Sequence, residues 1–582
     1  VYFANKYWRI IRINGDGSVR MIYAGTSAHE NGYDDSSTND MNIGRSAFNT
    51  NYNDNAYVGY MYGTASASDY ATTHANTNNS TIKTVLDNWY TNNIKDTVNE
   101  KYVVDAIYCN DRELQSGTGK GTTTTYYKAY NRNYTNKTPT LKCNQVNDRF
   151  TRETTVSGVT GNGALTYPIG LITVDEAAYA GGLYYQSDGS ANNSKYYLCT
   201  GNSYWTMSPS YFYGSNAGEF TVYSAGYLNG GNVFNNSAVR PVLSLSSGAL
   251  SDGTGTKDDP FKINHAKNTL TTLNLTETTG TPSFSKTSCS SGCGETTVGI
   301  YKAEDDLGTS YYFRGDVSNN YVYFAGFYWR IVRINGDGTI RMIYDGTSAH
   351  DNGESSTDRQ ISTSAFNSSY NDNAYVGYMY GTAGASDYAT THTNTTNSTI
   401  KTVLDNWYVS NIKDTTNEKY VVDAIYCNDR ELQSGTGKGT TTTYYKAYNR
   451  NSTNKTPTLK CNQVNDRFTK ETTVSGVTGN GALTYPIGLI TVDEVAYAGG
   501  LYYQSDRSAN NSKYYLYIGK YYWPMSPSSF HGSGAYEFYV RSAGDLGGNL
   551  VDNSNAVRAV LSLSSGALSS GSGTKTDPFK IG

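Results

Sequence analysis

The stretch VYFANKYWRIIRINGDGSVRMIYAGTSAH, residues 1–29, returns almost unchanged at residues 322–350 as VYFAGFYWRIVRINGDGTIRMIYDGTSAH. Within it, KYWRIIRI and VRMIY flank a polar Asn-Gly-Asp-Gly sequence. This pattern predicts two strands joined by a hairpin turn. A calcium loop is the alternative for this turn, but the sequence does not continue with the remaining ligands of an EF-type loop. The repeat therefore predicts a domain that begins with a β-hairpin and occurs twice.

The repeat sets the expected domain boundaries. DPFKIN, ending at residue 264, returns as DPFKIG at the end of the sequence, so each copy has about 260 residues. We expect a first domain at 1–264, a Thr/Ser-rich linker or small strand segment at 265–298, and a second domain at 299–582. The second copy has a lead-in, GIYKAEDDLGTSYYFRGDVSNN (299–320), that the first lacks. The first copy is therefore expected to be truncated at its front.

Composition narrows the class of protein. The 582 residues hold 56 Tyr against 16 Phe and 6 Trp, and only 16% are charged, which suits exposed β structure in a secreted or surface protein. A net charge of −4 gives no basic footprint for nucleic acid. The sequence contains no run of about 18 apolar residues, so it does not predict a membrane-spanning helix. We expect an extracellular or bacterial cell-surface location, with any anchor or export signal outside this sequence.

Two segments per copy predict helices. STIKTVLDNWYTNNI (80–94) places its apolar residues at helical spacing behind Ser80, a candidate N-cap. TVDEAAYAGG (173–182) carries Thr173 and Glu176 at capping-box spacing and ends in glycine. Short strands with Gly-rich turns follow. The expected fold class is α+β, strand-rich, with two short helices in each of two tandem domains.

Differences between the copies are concentrated in one segment. Residues 85–198 and 403–516 differ at 7 of 114 positions, whereas residues 199–241 and 517–559 differ at 19 of 43. Uniform drift after duplication does not produce this clustering. Relaxed constraint on a loose loop is the alternative explanation, and the arrangement of the changes argues against it.

Constant apolar residues alternate with the changed ones. Phe212 lies between changed Tyr211 and Tyr213, and Leu228 lies between changed Tyr227 and Asn229. Because a strand points successive side chains to opposite faces, the constant residues are expected to pack inward and the changed ones to face outward. The framework that recurs is Trp205, Met207, Pro209, Phe220, Val222, Val239 and Arg240, matched by Trp523, Met525, Pro527, Phe538, Val540, Val557 and Arg558.

The changed positions are predicted to form a ligand-binding face on each domain. Tyr among Ser, Gly and Asn is the chemistry of antibody paratopes. In the first domain the predicted binding residues are Asn202, Ser203, Thr206, Tyr211, Tyr213, Asn216, Gly218, Thr221, Tyr223, Tyr227, Asn229 and Phe234. In the second they are Lys520, Tyr521, Pro524, Ser529, His531, Gly534, Tyr536, Tyr539, Arg541, Asp545, Gly547 and Asp552.

Each copy resembles, over nearly its whole length, the C-type-lectin-fold variable proteins of bacterial diversity-generating retroelements. The resemblance lies in the WRI…RMIY strands, the two helices, the YW-x-MSP segment and a closing AVRPVLSL strand, AVRAVLSL in the second copy. It implies a fold that displays randomised residues, written by a reverse transcriptase that errs at template adenines. The pattern is also similar to the formylglycine-generating, sulfatase-modifying-factor-like branch of the same fold.

Codon arithmetic agrees with that resemblance. Of the two residues at each of the 19 positions, only Lys520 requires a codon that does not end in a pyrimidine, as random change at both adenines of an Asn codon would give. One departure from the family is that both copies vary, with more chain after the variable segment. The first copy is then expected to be an older, fixed cassette.

The cysteines predict disulfides. One pair recurs at equivalent positions in both copies and another closes a small CSSGC loop, consistent with an oxidising exterior; the alternative is that they are reduced and buried. The predicted disulfide cysteines are Cys109, Cys143, Cys427, Cys461, Cys289 and Cys293. Cys199 corresponds to Tyr517 in the second copy, so we expect a variable surface position rather than a reactive thiol.

Other chemical signals are weak. SGTGKGTT (116–123) lacks the spacing of a phosphate loop, and the six His show no metal-ligand spacing. Recurring Asp and Arg residues are expected to form a buried network, with a polar site as the alternative; they are Asp111, Arg112, Asp148 and Arg149. The Tyr pairs at 126–127, 184–185 and 196–197 suit strand packing by default and sugar stacking as the alternative.

These observations predict non-covalent ligand capture, in the manner of an adhesin, and not an enzyme. The expected partner is a protein or glycan on another cell, a host or a phage, with no cofactor, metal or nucleic acid. Two domains on one chain add avidity where both engage. The alternatives are a structural surface or stalk repeat, a formylglycine-generating-type enzyme, and an adhesin whose copies diverged in the ordinary way.

Overall fold

A computed structural model describes residues 1–32, 40–289 and 297–581 of the chain. Over these residues it is a strand-rich α+β protein with short helices. Contacts between residues divide it into two compact units, Val1–Ile263 and Asn264–Gly582, called here unit 1 and unit 2.

Unit 1 is built mostly of short strands. Its helices are α1 (Tyr70–Thr73), α2 (Thr81–Asn93), α3 (Lys128–Asn131) and α4 (Val174–Tyr179), with 3-10 turns at Asn55–Val58, Glu100–Tyr102 and Val146–Asp148 and a π turn at Arg132–Asn136. Its strands are β1 (Tyr2–Phe3), β2 (Lys6–Ile13), β3 (Val19–Gly25), β4 (Arg45–Ser46), β5 (Met61–Tyr62), β6 (Asn78–Asn79), β7 (Tyr108–Cys109), β8 (Leu114–Ser116), β9 (Thr125–Tyr127), β10 (Arg149–Phe150), β11 (Thr155–Val156), β12 (Val159–Thr160), β13 (Tyr204–Tyr213), β14 (Asn216–Val222), β15 (Leu228–Asn232), β16 (Ser237–Ala238) and β17 (Val242–Leu245).

Unit 2 repeats this order after an additional helix and hairpin. Its helices are α5 (His265–Thr272), α6 (Tyr388–Thr391), α7 (Thr399–Asn411), α8 (Lys446–Asn449) and α9 (Val492–Ala498), with 3-10 turns at Asn373–Val376, Glu418–Tyr420 and Val464–Asp466 and a π turn at Arg450–Asn454. Its strands are β18 (Gly299–Asp305), β19 (Gly308–Arg314), β20 (Tyr321–Phe324), β21 (Phe327–Ile334), β22 (Ile340–Gly346), β23 (Ser362–Ser364), β24 (Met379–Tyr380), β25 (Thr396–Asn397), β26 (Tyr426–Cys427), β27 (Leu432–Ser434), β28 (Thr443–Tyr445), β29 (Arg467–Phe468), β30 (Thr473–Val474), β31 (Val477–Thr478), β32 (Pro527–His531), β33 (Gly534–Val540), β34 (Leu546–Leu550), β35 (Asn555–Val557), β36 (Val560–Leu563), β37 (Leu568–Ser570) and β38 (Phe579–Ile581).

Two sheets dominate each unit. In unit 1 one sheet has the order β1-β2-β3-β17, and the other has the order β15-β14-β13-β16-β4, with β9 also paired to β13 and β8 to β9. In unit 2 the first sheet gains β18 and β19 at one side, and β27-β28-β32-β33-β34 forms the second. The second sheet carries the segment in which the two copies differ.

The predicted hairpin turn is confirmed. Strands β2 and β3 pair antiparallel, from Tyr7 opposite Gly25 to Ile13 opposite Val19. The Asp16 carboxylate accepts hydrogen bonds from the backbone N–H of Ser18 at 3.0 Å and from its hydroxyl. The acid of the Asn-Gly-Asp-Gly sequence therefore closes a turn through local hydrogen bonds.

Both predicted helices are confirmed, and their caps explain where they begin. Ser80 Oγ accepts from the N–H of Lys83 at 3.3 Å, and Thr173 with Glu176 forms the capping box of α4. The prediction of two helices per domain was incomplete, because unit 1 contains two further helices, α1 and α3, each of a single turn. The first is held by the side chain of Asp69 at its N-cap. Helices of one turn have no apolar periodicity to predict them.

The segment predicted as a linker was assigned wrongly. Helix α5 and the residues just after it belong to unit 2, because their apolar side chains join its hydrophobic core: Ala266, Leu270, Leu273 and Leu275. Thr269 also donates its hydroxyl to the carbonyl of Gly338 at 2.8 Å. Unit 2 therefore begins at residue 264 and not at 299. The segment was predicted as a linker because its Thr-rich composition obscures the amphipathic pattern of the helix.

The predicted disulfide within each copy is confirmed. Cys109 bonds to Cys143, and Cys427 bonds to Cys461, with sulfur–sulfur distances of 2.03 and 2.06 Å. Cys293 lies outside the described residues, so the predicted pair with Cys289 stays a prediction. Each confirmed disulfide ties the strand after the 3-10 turn near residue 100, or its counterpart, to a loop 34 residues later.

Candidate functional site

The candidate site is the sheet that carries the changed residues, called here the variable sheet: β13–β15 in unit 1 and β32–β34 in unit 2. Tyr211 faces Gly218 across the first pair of strands, and Tyr213 faces Asn216 beside the turn. Strand β9 flanks this sheet, with Tyr126 opposite Tyr211. Gly214 closes the turn with a positive φ of 67°, a backbone conformation that glycine adopts without strain.

A constant framework holds this sheet in both units. Trp205 is buried, its Nε1–H donates to the carbonyl of Ser46 at 2.8 Å, and its ring packs against Phe48. Trp523 makes the equivalent bond to Ser364 at 2.9 Å. The other constant framework side chains are buried as predicted: Met207, Pro209, Phe220, Val222, Val239 and Arg240, with their counterparts in unit 2. The same scaffold therefore carries two different sets of side chains.

The changed positions are only partly at the surface. Those exposed or half-buried, as predicted, are Asn202, Ser203, Tyr211, Tyr213, Asn216, Tyr223, Tyr227, Asn229 and Phe234 in unit 1, and Lys520, Tyr521, His531, Tyr536, Tyr539, Arg541 and Asp552 in unit 2. The outward prediction is wrong for the buried side chains Thr206, Thr221, Pro524, Ser529 and Asp545, and at Gly218, Gly534 and Gly547 the buried backbone offers no side chain.

Strand irregularities and covered faces explain these exceptions. The pairing of β13 with β14 shifts register between Trp205 and Pro209 and again before Tyr211, so simple alternation breaks down there. The Thr206 hydroxyl donates to the carbonyl of Phe220 at 2.9 Å, inside the sheet. A sheet that is packed on both faces buries side chains of both parities.

Cys199 is also not at the surface. It is buried among the core residues of unit 1, and its Sγ–H donates to the carbonyl of Ser224 at 3.5 Å. Burial raises the pKa of this thiol, which disfavours the reactive thiolate. The prediction of an exposed position was wrong, and the thiol serves packing.

One turn shows how the exposed residues differ between the units. In unit 1 the rings of Tyr223 and Tyr227 stack with centroids 4.7 Å apart, and Tyr185 packs beside Tyr227 at 5.1 Å. In unit 2 the first two positions hold Arg541 and Asp545, whose Nη1 and carboxylate oxygen lie 2.9 Å apart. An aromatic stack in unit 1 therefore corresponds to an ion pair in unit 2, and both members of the pair differ together.

The constant neighbour of that turn contacts both versions. Tyr503 occupies in unit 2 the position of Tyr185, and the guanidinium of Arg541 lies 4.2 Å from the centre of its ring. A tyrosine ring accepts either another ring or a cation on its face. Burial opposes the charge on Arg541, but the carboxylate of Asp545 raises its pKa overall.

The hairpin tip shows a second coupled replacement. In unit 1 the ring of Tyr211 lies over Gly218, where a Cβ atom would come within 2.7 Å of it. In unit 2 the large residue is on the other strand: Ser529 stands opposite Tyr536. The ring of Tyr536 stacks on His531 with centroids 4.2 Å apart. Large and small residues have exchanged strands, so the sheet keeps its packing while its exposed chemistry changes.

A row of tyrosines flanks the variable sheet of unit 1; all but Tyr134, which is Ser452 in unit 2, recur there. Tyr126, Tyr130 and Tyr134 follow one another with ring centroids 5.1 and 5.4 Å apart, and Tyr184 packs on Tyr134 at 4.4 Å. Burial, followed by the neighbouring phenol of Tyr130, raises the pKa of Tyr184. The sequence pattern pointed to two of these rings through the Tyr pairs, whereas the signal for Tyr130 was its i, i+4 spacing to the rings on either side.

The exposed changed positions also differ in charge. Those of unit 1 carry Asn, Ser, Tyr and Phe, whereas unit 2 adds Lys520, His531, Arg541 and Asp552. The exposed changed residues of unit 1 are therefore neutral and rich in phenols, whereas those of unit 2 include charges of both signs.

The recurring Asp and Arg residues form the expected network. Buried Arg112 bonds to Asp148 through Nε at 2.7 Å and through its backbone N–H at 2.7 Å. Arg132 contacts both Asp111 and Asp175. Burial raises the pKa of Asp111 to about 6 in spite of that guanidinium. Arg149 instead donates to backbone carbonyls, including that of Cys143 at 2.8 Å. These contacts brace the loops of the disulfide.

Comparisons with known proteins give no relative. No protein-family model, curated protein or solved structure matches the chain. Over residues 1–32, 40–289 and 297–581, no group of three or more His, Cys, Asp or Glu side chains is arranged to hold a metal ion. Within the same residues, no helix is both long and apolar enough to cross a bilayer.

Proposed function

We propose that the chain is a surface-displayed or secreted ligand-binding protein, and that each unit presents its variable sheet to a separate ligand. The ligand is a protein or glycan on another cell, a host or a phage, captured without covalent chemistry as an adhesin captures its receptor. The exposed changed residues make the contacts, and the constant framework fixes their positions. The resemblance to retroelement variable proteins with a C-type-lectin fold supports the same function.

The coupled replacements carry this proposal. The stack of Tyr223 on Tyr227 becomes the ion pair of Arg541 with Asp545, and each pair keeps its own internal contact. Loss of constraint changes residues one at a time and leaves mismatched neighbours. Changes that alter exposed chemistry while keeping packing are typical of a surface whose specificity is what varies.

The residue types indicate the chemistry of the ligands. Exposed phenols such as Tyr213 and Tyr223 offer a flat apolar face and a hydroxyl at little entropic cost, which suits sugars and protein surfaces alike. The half-buried Tyr211 adds a hydroxyl whose pKa burial raises, so it is held as a neutral donor. Unit 2 adds exposed or half-buried charges of both signs, including Lys520 and Asp552, and we assign it a ligand that carries charged groups.

The disulfides support an extracellular location. Disulfides between Cys109 and Cys143 and between Cys427 and Cys461 persist in oxidising compartments. Together with the resemblance, they support an extracellular or cell-surface site of action. A binding face exposed to varied partners is useful only where it meets them.

A cassette exchange tests the proposal. The full chain is bound to arrays of glycans, surface proteins and phage particles, alongside a variant in which residues 199–241 carry the sequence of 517–559. The two segments have equal length and share their buried framework, so the chimera is expected to fold. The ligands of unit 1 should disappear, and those of unit 2 should be retained with higher avidity.

Point variants locate the contacts. Tyr213→Ser with Tyr223→Ser and Phe234→Ser should abolish unit 1 binding, whereas Val98→Ser with Val146→Ser, also exposed, should leave it unchanged. A chain that binds no array member, or whose ligands survive both the exchange and the triple variant, would exclude ligand capture by the variable sheets.

A further inference from the structure

Unit 2 contains a buried carboxylate that three arginines surround. Asp345 lies in β22 and is fully buried, and its carboxylate accepts from Arg359 through Nη2 at 2.7 Å and through Nε at 3.0 Å. Arg558 donates to the same oxygen through Nη2 at 2.9 Å. Nη1 of Arg330 lies 3.9 Å from the other carboxylate oxygen. One carboxylate is therefore shared among guanidinium groups that would otherwise be buried together without an anion.

At the same positions unit 1 has neither the carboxylate nor one of the arginines. Ala24 stands at the position of Asp345, and Met41 stands at the position of Arg359. Both side chains are buried, and both are smaller than the ones they replace. Because an acid and a base are lost together, the net charge is unchanged. What is lost is the acceptor that the remaining arginines shared, and it is lost by substitution within the matched parts of the two copies.

Arg240 of unit 1 keeps the orientation of its counterpart, Arg558. Its Nε donates to the carbonyl of Tyr23 at 2.9 Å, and its Nη1 donates to the carbonyl of Leu198 at 3.1 Å. Arg558 makes both of these bonds with the equivalent carbonyls, each at 3.0 Å. The third donor of the two guanidinium groups therefore points in the same direction.

That third donor is left without an acceptor in unit 1. Among the described residues, none accepts a hydrogen bond from Nη2 of Arg240, although the side chain is only 1% exposed. In unit 2 the corresponding Nη2 meets the carboxylate of Asp345. An unpaired donor on a buried cation is costly, because the group has lost its water and gained no acceptor. The Nη2 of Arg240 thus points into the space that a carboxylate takes in unit 2.

A second arginine makes this space favourable for an anion. Arg9 stands at the position of Arg330 and is half-buried. Its pKa is lowered, first by burial and then by the positive charge of Arg240. The carboxylate of Glu30 offsets part of this repulsion, but it is exposed and paired with Lys257. Two guanidinium groups therefore repel one another where unit 2 has an anion between them.

We propose that unit 1 binds a small monovalent anion at Nη2 of Arg240, in the place that the Asp345 carboxylate takes in unit 2. The anion is a halide or a simple carboxylate such as formate, because the group that it replaces is a single carboxylate. Arg240 supplies the hydrogen bond, and Arg9 supplies further positive charge. None of the residues predicted to bind ligands belongs to this site, so it is independent of the proposed function.

The bound anion also stabilises the chain where it enters the variable sheet. Arg240 joins the carbonyl of Tyr23, in β3, to the carbonyl of Leu198, which directly precedes the segment in which the copies differ. An anion that holds the guanidinium in place fixes both bonds. Because it binds only the folded unit, it raises the stability of that unit as its concentration rises. Unit 1 takes from solution a contact that unit 2 makes with its own side chain.

Chloride NMR line broadening tests the site on the full chain, because exchange with a protein site broadens the resonance of free chloride. Ala24→Asp supplies the carboxylate from the chain itself and should remove the broadening that this site causes. Asp345→Ala with Arg359→Met gives unit 2 the side chains of unit 1 and should create a second site, which about doubles the broadening. Chloride near surface cations contributes equally in all three proteins, since every changed residue is buried.

Competition identifies the anion. Formate that displaces chloride at a lower concentration than the chloride present assigns the site to a carboxylate, and weaker displacement assigns it to a halide. Where Ala24→Asp alone does not fold, as judged by circular dichroism, Ala24→Asp with Met41→Arg carries the side chains of unit 2 and replaces it. Broadening that is unchanged when the carboxylate is supplied, or that does not increase in the unit 2 double variant, would overturn the proposal.

Discussion

Arg541 Nη1 lies 2.9 Å from the carboxylate of Asp545, and the aspartate is completely buried while the arginine is partly exposed. Unit 1 holds two stacked tyrosines at the same positions. A buried carboxylate needs a partner, whereas an exposed ring does not. The difference between the units therefore changes what each turn requires for stability as well as what it displays.

Loss of that arginine should destabilise unit 2. Arg541→Ala leaves the Asp545 carboxylate buried without its cation, and we expect the free energy of unfolding to fall by about 1–3 kcal/mol. The matched change Tyr223→Ala removes an exposed ring and should cost less than about 1 kcal/mol. Urea unfolding followed by circular dichroism measures both. Equal losses would show that the ion pair does not hold the turn.

Framework and surface residues of the variable sheet should respond differently to truncation. Trp205→Ala removes a buried ring and the hydrogen bond to Ser46, and should lower the free energy of unfolding by about 3–5 kcal/mol. Tyr213→Ala, at a position 63% exposed, should change it by less than about 0.5 kcal/mol. Chemical denaturation of each variant tests this division, and a large loss for Tyr213→Ala would contradict it.

Two buried glutamates should make the protein less stable as pH rises. Neither carboxylate oxygen of Glu219 or Glu537 has a hydrogen-bond partner, and burial raises the pKa of both well above the ordinary 4.5. The folded state therefore holds these protons more tightly than the unfolded chain. Folding is favoured most below pH 4.5 and loses free energy as pH rises towards the raised pKa.

Removing the two charges should remove that loss. The double variant E219Q and E537Q should lose less stability between pH 4 and pH 7 than the unmodified chain does. Thermal unfolding of both proteins at each pH measures this difference. The exposed Glu153→Gln is the control and should leave the pH profile unchanged. A double variant with the profile of the unmodified chain would show that these carboxyls do not titrate with folding.

Two buried histidines should have the opposite effect and make the protein less stable as pH falls. Burial, reinforced by Arg112 and Arg430, lowers the pKa of His74 and His392 from 6.5 to about 3. The unfolded chain therefore binds protons more readily, and stability falls as pH drops from 6.5 towards 3. In the folded state each ring Nε2 lies 2.8 Å from a glycine carbonyl.

Glutamine can keep that hydrogen bond without titrating. The double variant H74Q and H392Q should therefore lose less stability between pH 6.5 and pH 4 than the unmodified chain, as measured by urea unfolding across this range. His531→Gln, at an exposed position of the variable sheet, is the control. An unchanged acid profile in the double variant would exclude the buried histidines as its cause.

Local sequence rules predicted the parts of the fold that depend on near neighbours. The Asn-Gly-Asp-Gly hairpin, the cap at Ser80 and the capping box at Thr173 each rest on contacts within four residues, and all were confirmed. The disulfides were predictable because the repeat supplied each pair twice. Helix α5 was missed because only its contacts with the unit 2 core distinguish it from a linker.

The site was predictable only in part. Comparison of the copies located the variable sheet, and alternation placed Phe212 and Leu228 inward correctly. Alternation failed at Thr206, because the register shifts in β13 depend on how two strands pair. The partnership of Arg541 with Asp545 joins positions four apart across a turn, which periodicity cannot identify.

The boundary between Ile263 and Asn264 has a consequence for how such genes change. A recombination event that joins the chain at this boundary transfers a helix, a hairpin and a body that share one core. An event that joins it at residue 299 would leave Ala266 and Leu270 behind and expose the surfaces they cover. Recombination between these repeats should therefore place its crossover points near residue 264, where the transferred unit keeps all of its core contacts.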